Sequence, residues 1–277
     1  MKNSLHIRSD TKEAFVPIED ISSVVLASRQ INLSVDVLNR LGSHHVNLIV
    51  TNDKHLPSGI LIPYGSYHRP LQTTDLQIGM TAPFKKITWK KIIEQKIKNQ
   101  HDHLAQRGSQ VSLYDLLTSI RSGDPDNREA QAAKRYWKEL LGATGRKTEM
   151  AENSGLDYGY AIVRSSLARN IASYGLLGHL GVHHRGPYNA FNLADDLIEP
   201  FRPIIDHFVI EYWSHLGKKL LDTHDKATFQ KIFLLKCWIN GELSTVSHCS
   251  ERIVSSFVRA LQSKKPSALE MPGFFNE

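Results

Sequence analysis

Several things are scarce in this sequence, and each shortage narrows the field. Cysteine occurs only twice in 277 residues, as Cys237 and Cys249. Two are too few to staple a fold, which suits a reducing compartment. His248 beside Cys249 does not make a zinc site, because no second ligand pair stands at finger-like spacing; both thiols are expected as core or surface groups. Apolar runs are short, none approaching the roughly 18 to 20 residues that cross a bilayer, and Met1 to Arg8 lacks the apolar centre of a secretory signal. A cytoplasmic protein with no membrane partner is therefore expected. Acidic residues are also in deficit, 28 Asp and Glu against 34 Lys and Arg, giving a net charge of +6 and a pI near 9.2. Such a field favours polyanions such as nucleic acid or acidic membrane, and alone it decides little.

What is present is ordinary for a folded chain: 41% hydrophobic and 22% charged residues, enough to bury a core and to make two domains. The first part reads as short strands around one helix. Ser23 to Ala27, Val46 to Thr51 and Leu56 to Tyr64 are brief apolar, β-branched runs. Ser34 caps a helix whose Val35, Leu38 and Leu41 recur at helical spacing before Gly42 ends it. Gly65 to Pro83 reads as a connector with one short helix, so we expect a β-rich domain over 1–68 and an α-helical catalytic domain over 69–277, an α+β chain.

In the second part Trp89, Ile92, Ile93, Ile97 and Leu104 mark one helix face, and Lys85, Lys86, Lys90, Lys91, Lys96 and Lys98 stud it as a solvated flank or a DNA-contacting one. Ser122 to Arg128 is a turn in which Pro125 fits a first helical position, and a helix over Arg128 to Leu141 should stop at Gly142, with Ala130, Ala133, Trp137 and Leu140 as its core stripe and Glu129 beside it. Asp157 to Tyr174, Phe201 to Leu221, Lys226 to Trp238 and Ser250 to Leu261 read as further helices.

The densest chemistry lies in GVHHRGPYNAFNLADDLIEPFRP, Gly181 to Pro203. On a helix from about Asn192, Glu199 shares a face with Asp195 and Asp196, and carboxylates so placed repel unless a cation lies between them. Pro200 must end or kink that helix, bringing Glu199 to a terminus. Histidine and carboxylate without thiolate suit Mg2+ or Mn2+ better than structural zinc. Spacing alone leaves Asp195 and Asp196 equal, and leaves open a purely structural reading in which these carboxylates pair with Arg185 or Arg202.

HHRGPYNAFNLADDLIEPFRP, the upstream NREAQAAKRYW and the intervening LDYGYAIVRSSLARNIASYGLLGHLGVHH together resemble the spacer-integrating subunit of CRISPR adaptation complexes in its type II form, over nearly the whole chain. The resemblance implies an ion held by Glu129, His184 and Glu199 as the catalytic residues, with Asp196 assisting and Asp195 solvated or paired. It implies a metal-dependent endonuclease and transesterase in which the 3′-hydroxyl of a captured DNA fragment attacks a phosphodiester at a CRISPR repeat border. Expected partners are a spacer-precursor duplex, the repeat, a second copy in a homodimer, a small companion subunit and the type II effector nuclease. Arg128, Arg185 and Arg202 flank the ligands as DNA contacts or structural ion pairs, and His183 packs beside its neighbour. Met1 to Ile7 enters partway through the sheet that relatives usually begin earlier. Two rival readings are a general metal-dependent nuclease that uses water, and a non-catalytic nucleic-acid scaffold.

Overall fold

A computed structural model of the chain describes residues 3–21, 23–26, 28, 30–44, 46–51, 57–61, 70–142, 151–213, 225 and 228–275. It divides into two compact units, Met1–Pro70 and Leu71–Glu277.

In the first unit, β1 (Ser4–Arg8) and β2 (Glu13–Pro17) form an antiparallel hairpin, with Leu5 opposite Val16. A separate sheet follows in the order β3 (Ser23–Leu26), β4 (Asn47–Thr51), β5 (Pro57–Leu61). All three strands fall inside the apolar runs read from sequence. β3 and β4 run parallel because α1 (Val35–Ser43) carries the chain back between them. Ser34 caps α1 by accepting from the Val37 N–H at 3.2 Å, and Leu41 joins Leu5, Ile18, Val46 and Leu48 in a small core. Residues 65–69 of the connector lie outside the described residues; its one short helix is α2 (Pro70–Ile78).

The second unit is built around α3 (Ala82–Gln106), capped by Thr81 with Pro83 in the first turn. Phe84, Trp89, Ile92, Ile93, Ile97 and Leu104 are buried along one face, as the spacing indicates. Against it pack α4 (Tyr114–Thr118), α5 (Arg128–Leu141) and α8 (Arg202–Trp213). α6 (Ala151–Ser173) crosses α8 so closely that a Cβ on Gly159 would come within 2.7 Å of Ile205. α7 (Asn192–Leu197) leads into a 3-10 turn, Glu199–Phe201, and α9 (Val246–Ser263) closes the unit. The remainder of the helix expected to reach Leu221 lies outside the described residues.

Three expectations need correction. Lys226 to Trp238 is not one helix: a 3-10 turn over Gln230–Leu234 gives way to β6 (Lys236–Ile239), which pairs with β7 (Glu242–Thr245) and β8 (Gly273–Phe274). The signal was there in Asn240-Gly241, both at positive φ (50° and 79°), the pair that favours a tight hairpin. On α5 the fully buried residues are Ala132 and Tyr136, while Ala130 is exposed; the stripe is rotated, which puts Glu129 on it instead of beside it. Pro125 sits in the preceding turn, and Asn127 is the cap. Cys237 and Cys249 are buried thiols in contact at 2.8 Å.

Candidate metal centre

The turn Ser122 to Arg128 exists to start α5 in the right place. Asp124 and Asn127 take left-handed backbone, φ 49° and 52°, which Asp and Asn tolerate better than most residues. Asp124 accepts from the N–H groups of Arg128 (2.8 Å) and Glu129 (3.0 Å), and Asn127 from that of Ala130 (3.3 Å). Three of the helix's orphan donors are thereby satisfied, and Glu129 leaves the first turn toward α3.

There it meets Lys96, whose Nζ lies 2.5 Å from Glu129 Oε1 and 2.5 Å from Glu199 Oε2. Lys96 was grouped with the exposed lysines of α3, yet it is only 7% exposed. The sequence held a clue: it follows Trp89 by seven residues and Ile92 by four, in phase with the core face. Lys91 also differs from a free flank, donating to the carbonyls of Pro266, Ser267 and Leu269. Glu199 is 4% exposed at the start of the 3-10 turn that Pro200 imposes, and its Oε1 accepts from Arg202 Nε at 2.9 Å. Burial alone would raise the Glu199 carboxyl, but the charges of Lys96 and Arg202 outweigh it and hold the group at about 2. Those two carboxylates likewise outweigh burial and raise the Lys96 ammonium.

The GVHH turn is organised by Asp196. Fully buried, it accepts from the backbone N–H groups of Val182 (2.5 Å), His183 (3.0 Å) and His184 (3.0 Å) and pairs with His184 Nδ1 at 2.7 Å. A Cβ on Gly181 would lie 2.5 Å from the His184 carbonyl and 2.7 Å from Asp196, so the turn closes only around glycine. Asn192 braces the same loop, donating to the carbonyls of His179 and Gly186. The hydrogen bond to Asp196, then the charges of Asp196 and Glu199, raise the His184 imidazole against the effect of burial. Both oxygens of Asp196, expected to assist the ligands, are thus taken by the histidine turn.

The other expected positions separate cleanly. Asp195 is a paired carboxylate, held by Arg164 at 2.5 and 3.0 Å and by Asn189 at 2.6 Å. Arg202 turns inward to Glu199 and lies over the Tyr160 ring, so the reading of it as a DNA contact gives way to its alternative, a structural pair. Arg128 reaches Gln131 at 3.3 Å. His183 stacks flat on Trp89, centroids 4.0 Å apart. Arg185 is exposed and, with Lys85, Lys86, His183 and Trp89, lines a cleft of about 400 Å³ that no carboxylate lines.

Among the described residues no three His, Cys, Asp or Glu side chains stand close enough to hold an ion as they are. Glu129 and Glu199 converge on one ammonium instead. The donor set still fits a hard divalent ion. Two carboxylates already bind a common cation, and Glu199 Oε2 is a buried oxygen whose 2.5 Å contact with Lys96 lacks hydrogen-bond geometry. His184 has its Nδ1 committed to a carboxylate, the support that metal-binding imidazoles typically have.

The sequence matches the family described as CRISPR associated protein Cas1 over residues 1–225. The chain is a member of the Cas1 family. A relative described as CRISPR-associated endonuclease Cas1 from Neisseria meningitidis serogroup C (strain 8013) is 34% identical over 98% of this chain and 91% of its own length. CRISPR-associated endonuclease Cas1 2 of Saccharolobus solfataricus is 25% identical over 76% of this chain and 69% of its own. Among solved structures, a partial Cas6-RT-Cas1–Cas2 complex matches 99% of this chain and 94% of the matched one at TM-score 0.73 and 15% identity. A casposase bound to integration product matches 95% and 91% at TM-score 0.62 and 24% identity. Both share the Cas1 fold seen here.

Proposed function

We propose that this Cas1-family protein is the integrase of CRISPR adaptation, joining the 3′-hydroxyl of a captured DNA fragment to a phosphodiester at the repeat border, with endonucleolytic cutting as its lesser activity. The observation that carries the reading is the pair Glu129 and Glu199, from different elements, sharing one cation, with the Glu199 charge also reaching the His184 imidazole that Asp196 locks. Glu129, His184 and Glu199 would hold Mg2+ or Mn2+. The ion supplies Lewis acidity toward a phosphodiester oxygen and a more acidic hydroxyl nucleophile.

The chain's own residues do the rest. Asp196 fixes the orientation of His184 and leaves Nε2 for the ligand role. Arg202 offsets part of the carboxylate charge from the protein side. Lys85, Lys86 and Arg185 offer phosphate contacts, and the exposed His183 ring, backed by buried Trp89, offers a flat stacking surface in the same cleft, a combination that holds a strand without reading its sequence. Relatives named as endonucleases, and neighbours described as a Cas1–Cas2 complex, a TtCas1-DNA complex and a casposase with its integration product, support DNA and a companion subunit as partners. A homodimer, contact with the type II effector nuclease and a cytoplasmic site of action belong to the same proposal; among the described residues no helix is long and apolar enough to cross a membrane.

The test is an incubation of the protein and its companion with a short duplex bearing free 3′-hydroxyls and a supercoiled plasmid carrying the repeat. Covalent duplex–plasmid joints should require Mg2+ or Mn2+ and fall by about a thousandfold or more in Glu129→Ala and Glu199→Ala, the scale of losing one member of a catalytic unit. Cutting without joining would favour a hydrolytic nuclease, and unchanged activity in both variants would refute the ion site.

A further inference from the structure

Lys96 stands where a ligand set of this kind would place its ion. It is rooted mid-helix on the buried face of α3, next to Ile93 and Ile97, both fully buried. Its ammonium touches Glu129 Oε1 and Glu199 Oε2, each at 2.5 Å. The two contacts are unlike: the one to Glu129 is a well-formed hydrogen bond, whereas the one to Glu199 Oε2 is a close ion pair outside good hydrogen-bond geometry.

We propose that Lys96 is a resident placeholder cation: it holds the two carboxylates together before the divalent ion arrives, and the ion must displace it. The inference rests on the ion-site reading above. Two buried carboxylates left without a cation would repel and splay, or one would take a proton. A tethered ammonium prevents both, preorganising Glu129 and Glu199 at the cost of competing with the ion they serve. Displacement also has somewhere to go. A cavity of about 330 Å³ beside the cluster is lined by Lys96, Gln100, Glu199, Arg202 and Asp206, and the withdrawn ammonium would be offered to the phosphate that the ion engages. The exchange favours the ion by charge: the two carboxylates keep a net negative charge with one ammonium and are neutralised by one divalent cation.

Mn2+ binding to the purified full chain, without DNA, tests this directly by the loss of the free-ion electron paramagnetic resonance signal. Lys96→Met keeps the length and apolar stem and removes the competitor, so it should bind Mn2+ about tenfold more tightly or better, and gain more thermal stability from Mn2+ than the wild type does. Without the ion it should melt lower than the wild type. Lys96→Arg keeps a cation in place, larger and always charged, and should bind Mn2+ more weakly than the wild type. Equal or weaker binding by Lys96→Met would overturn the proposal, and should that variant not fold, unchanged binding by Lys96→Arg would do so. Glu129→Gln separates the two readings. If it abolishes Mn2+ binding while Lys96→Met fails to tighten it, the ion site stands and the placeholder falls; if it leaves binding intact, the ion site itself is misassigned.

Discussion

Asp196 and Glu199 lie three residues apart at one helix end, both nearly or fully buried, and the protein treats them in opposite ways. Asp196 is saturated by three backbone N–H groups and a ring nitrogen of His184. Glu199 is surrounded by cations, Lys96 and Arg202, and one of its oxygens accepts no hydrogen bond. A carboxylate satisfied by donors from its own loop has no capacity left for a ligand; its value is in the geometry it imposes. One that keeps an oxygen facing only a cation can exchange that cation for another with little loss of hydrogen bonding. Burial is shared, so what distinguishes the two carboxylates is the kind of partner each oxygen has.

The sharpest way to break this contrast is Asp196→Ala. It should lower Mn2+ affinity and DNA joining by roughly 10- to 100-fold, as loss of a carboxylate behind a metal-binding imidazole does. It should also destabilise the protein by about 3 kcal/mol or more in urea unfolding, because several buried N–H donors lose their acceptor. Full ion affinity in this variant would show that His184 needs no such support.

Acid unfolding reports on the other member. The Glu199 carboxyl is held at about 2 against an ordinary 4.5, so its ionised form stabilises the fold fully above pH 4.5, and that stabilisation is lost as pH falls from 4.5 toward 2. The full difference corresponds to about 3 kcal/mol, of which about 2 kcal/mol is lost between pH 6 and pH 3; Glu199→Gln should not show that loss when stability in urea is compared at the two pH values. His103 adds a loss common to both proteins. Burial first, then the charges of His207 and Arg107, push its imidazole down to about 3, so stability falls as the unfolded chain's histidine protonates from pH 6.5 downward. An identical acid response in wild type and Glu199→Gln would mean that Lys96 and Arg202 do not hold the carboxylate as described.

The smallest effect should come from Asp195→Asn. Among the described residues its oxygens form hydrogen bonds and ion pairs with Arg164 and Asn189 and with neither Lys96 nor His184, so joining activity should change by less than about threefold, with stability down by about 1 kcal/mol for a partly buried pair. A loss comparable to that of Asp196→Ala would erase the distinction between these neighbouring residues that the structure draws.

Much of this was legible in the chain itself. α5 runs over the range its cap and Gly142 indicate, and β3, β4 and β5 lie within the apolar runs read for them. These are local signals, carried by caps, turns, β-branched runs and the constraint of Pro200. The sequence read by its spacing could not separate Asp195 from Asp196, because both lie on one helical face with Glu199. Arg164, 31 residues upstream of Asp195, decides one, and the fold of the GVHH turn decides the other.

What the sequence determined, then, was which residues are chemically able to hold an ion and where helices begin and end, since both depend on residue type and near neighbours. The tertiary structure decided which oxygens are free to do so. It brought a lysine of α3 between glutamates from two other elements, rotated Glu129 onto the buried stripe of α5, and drew Arg202 inward. Such outcomes rest on contacts between residues far apart in the chain, where the partner of a charge is set by packing and desolvation.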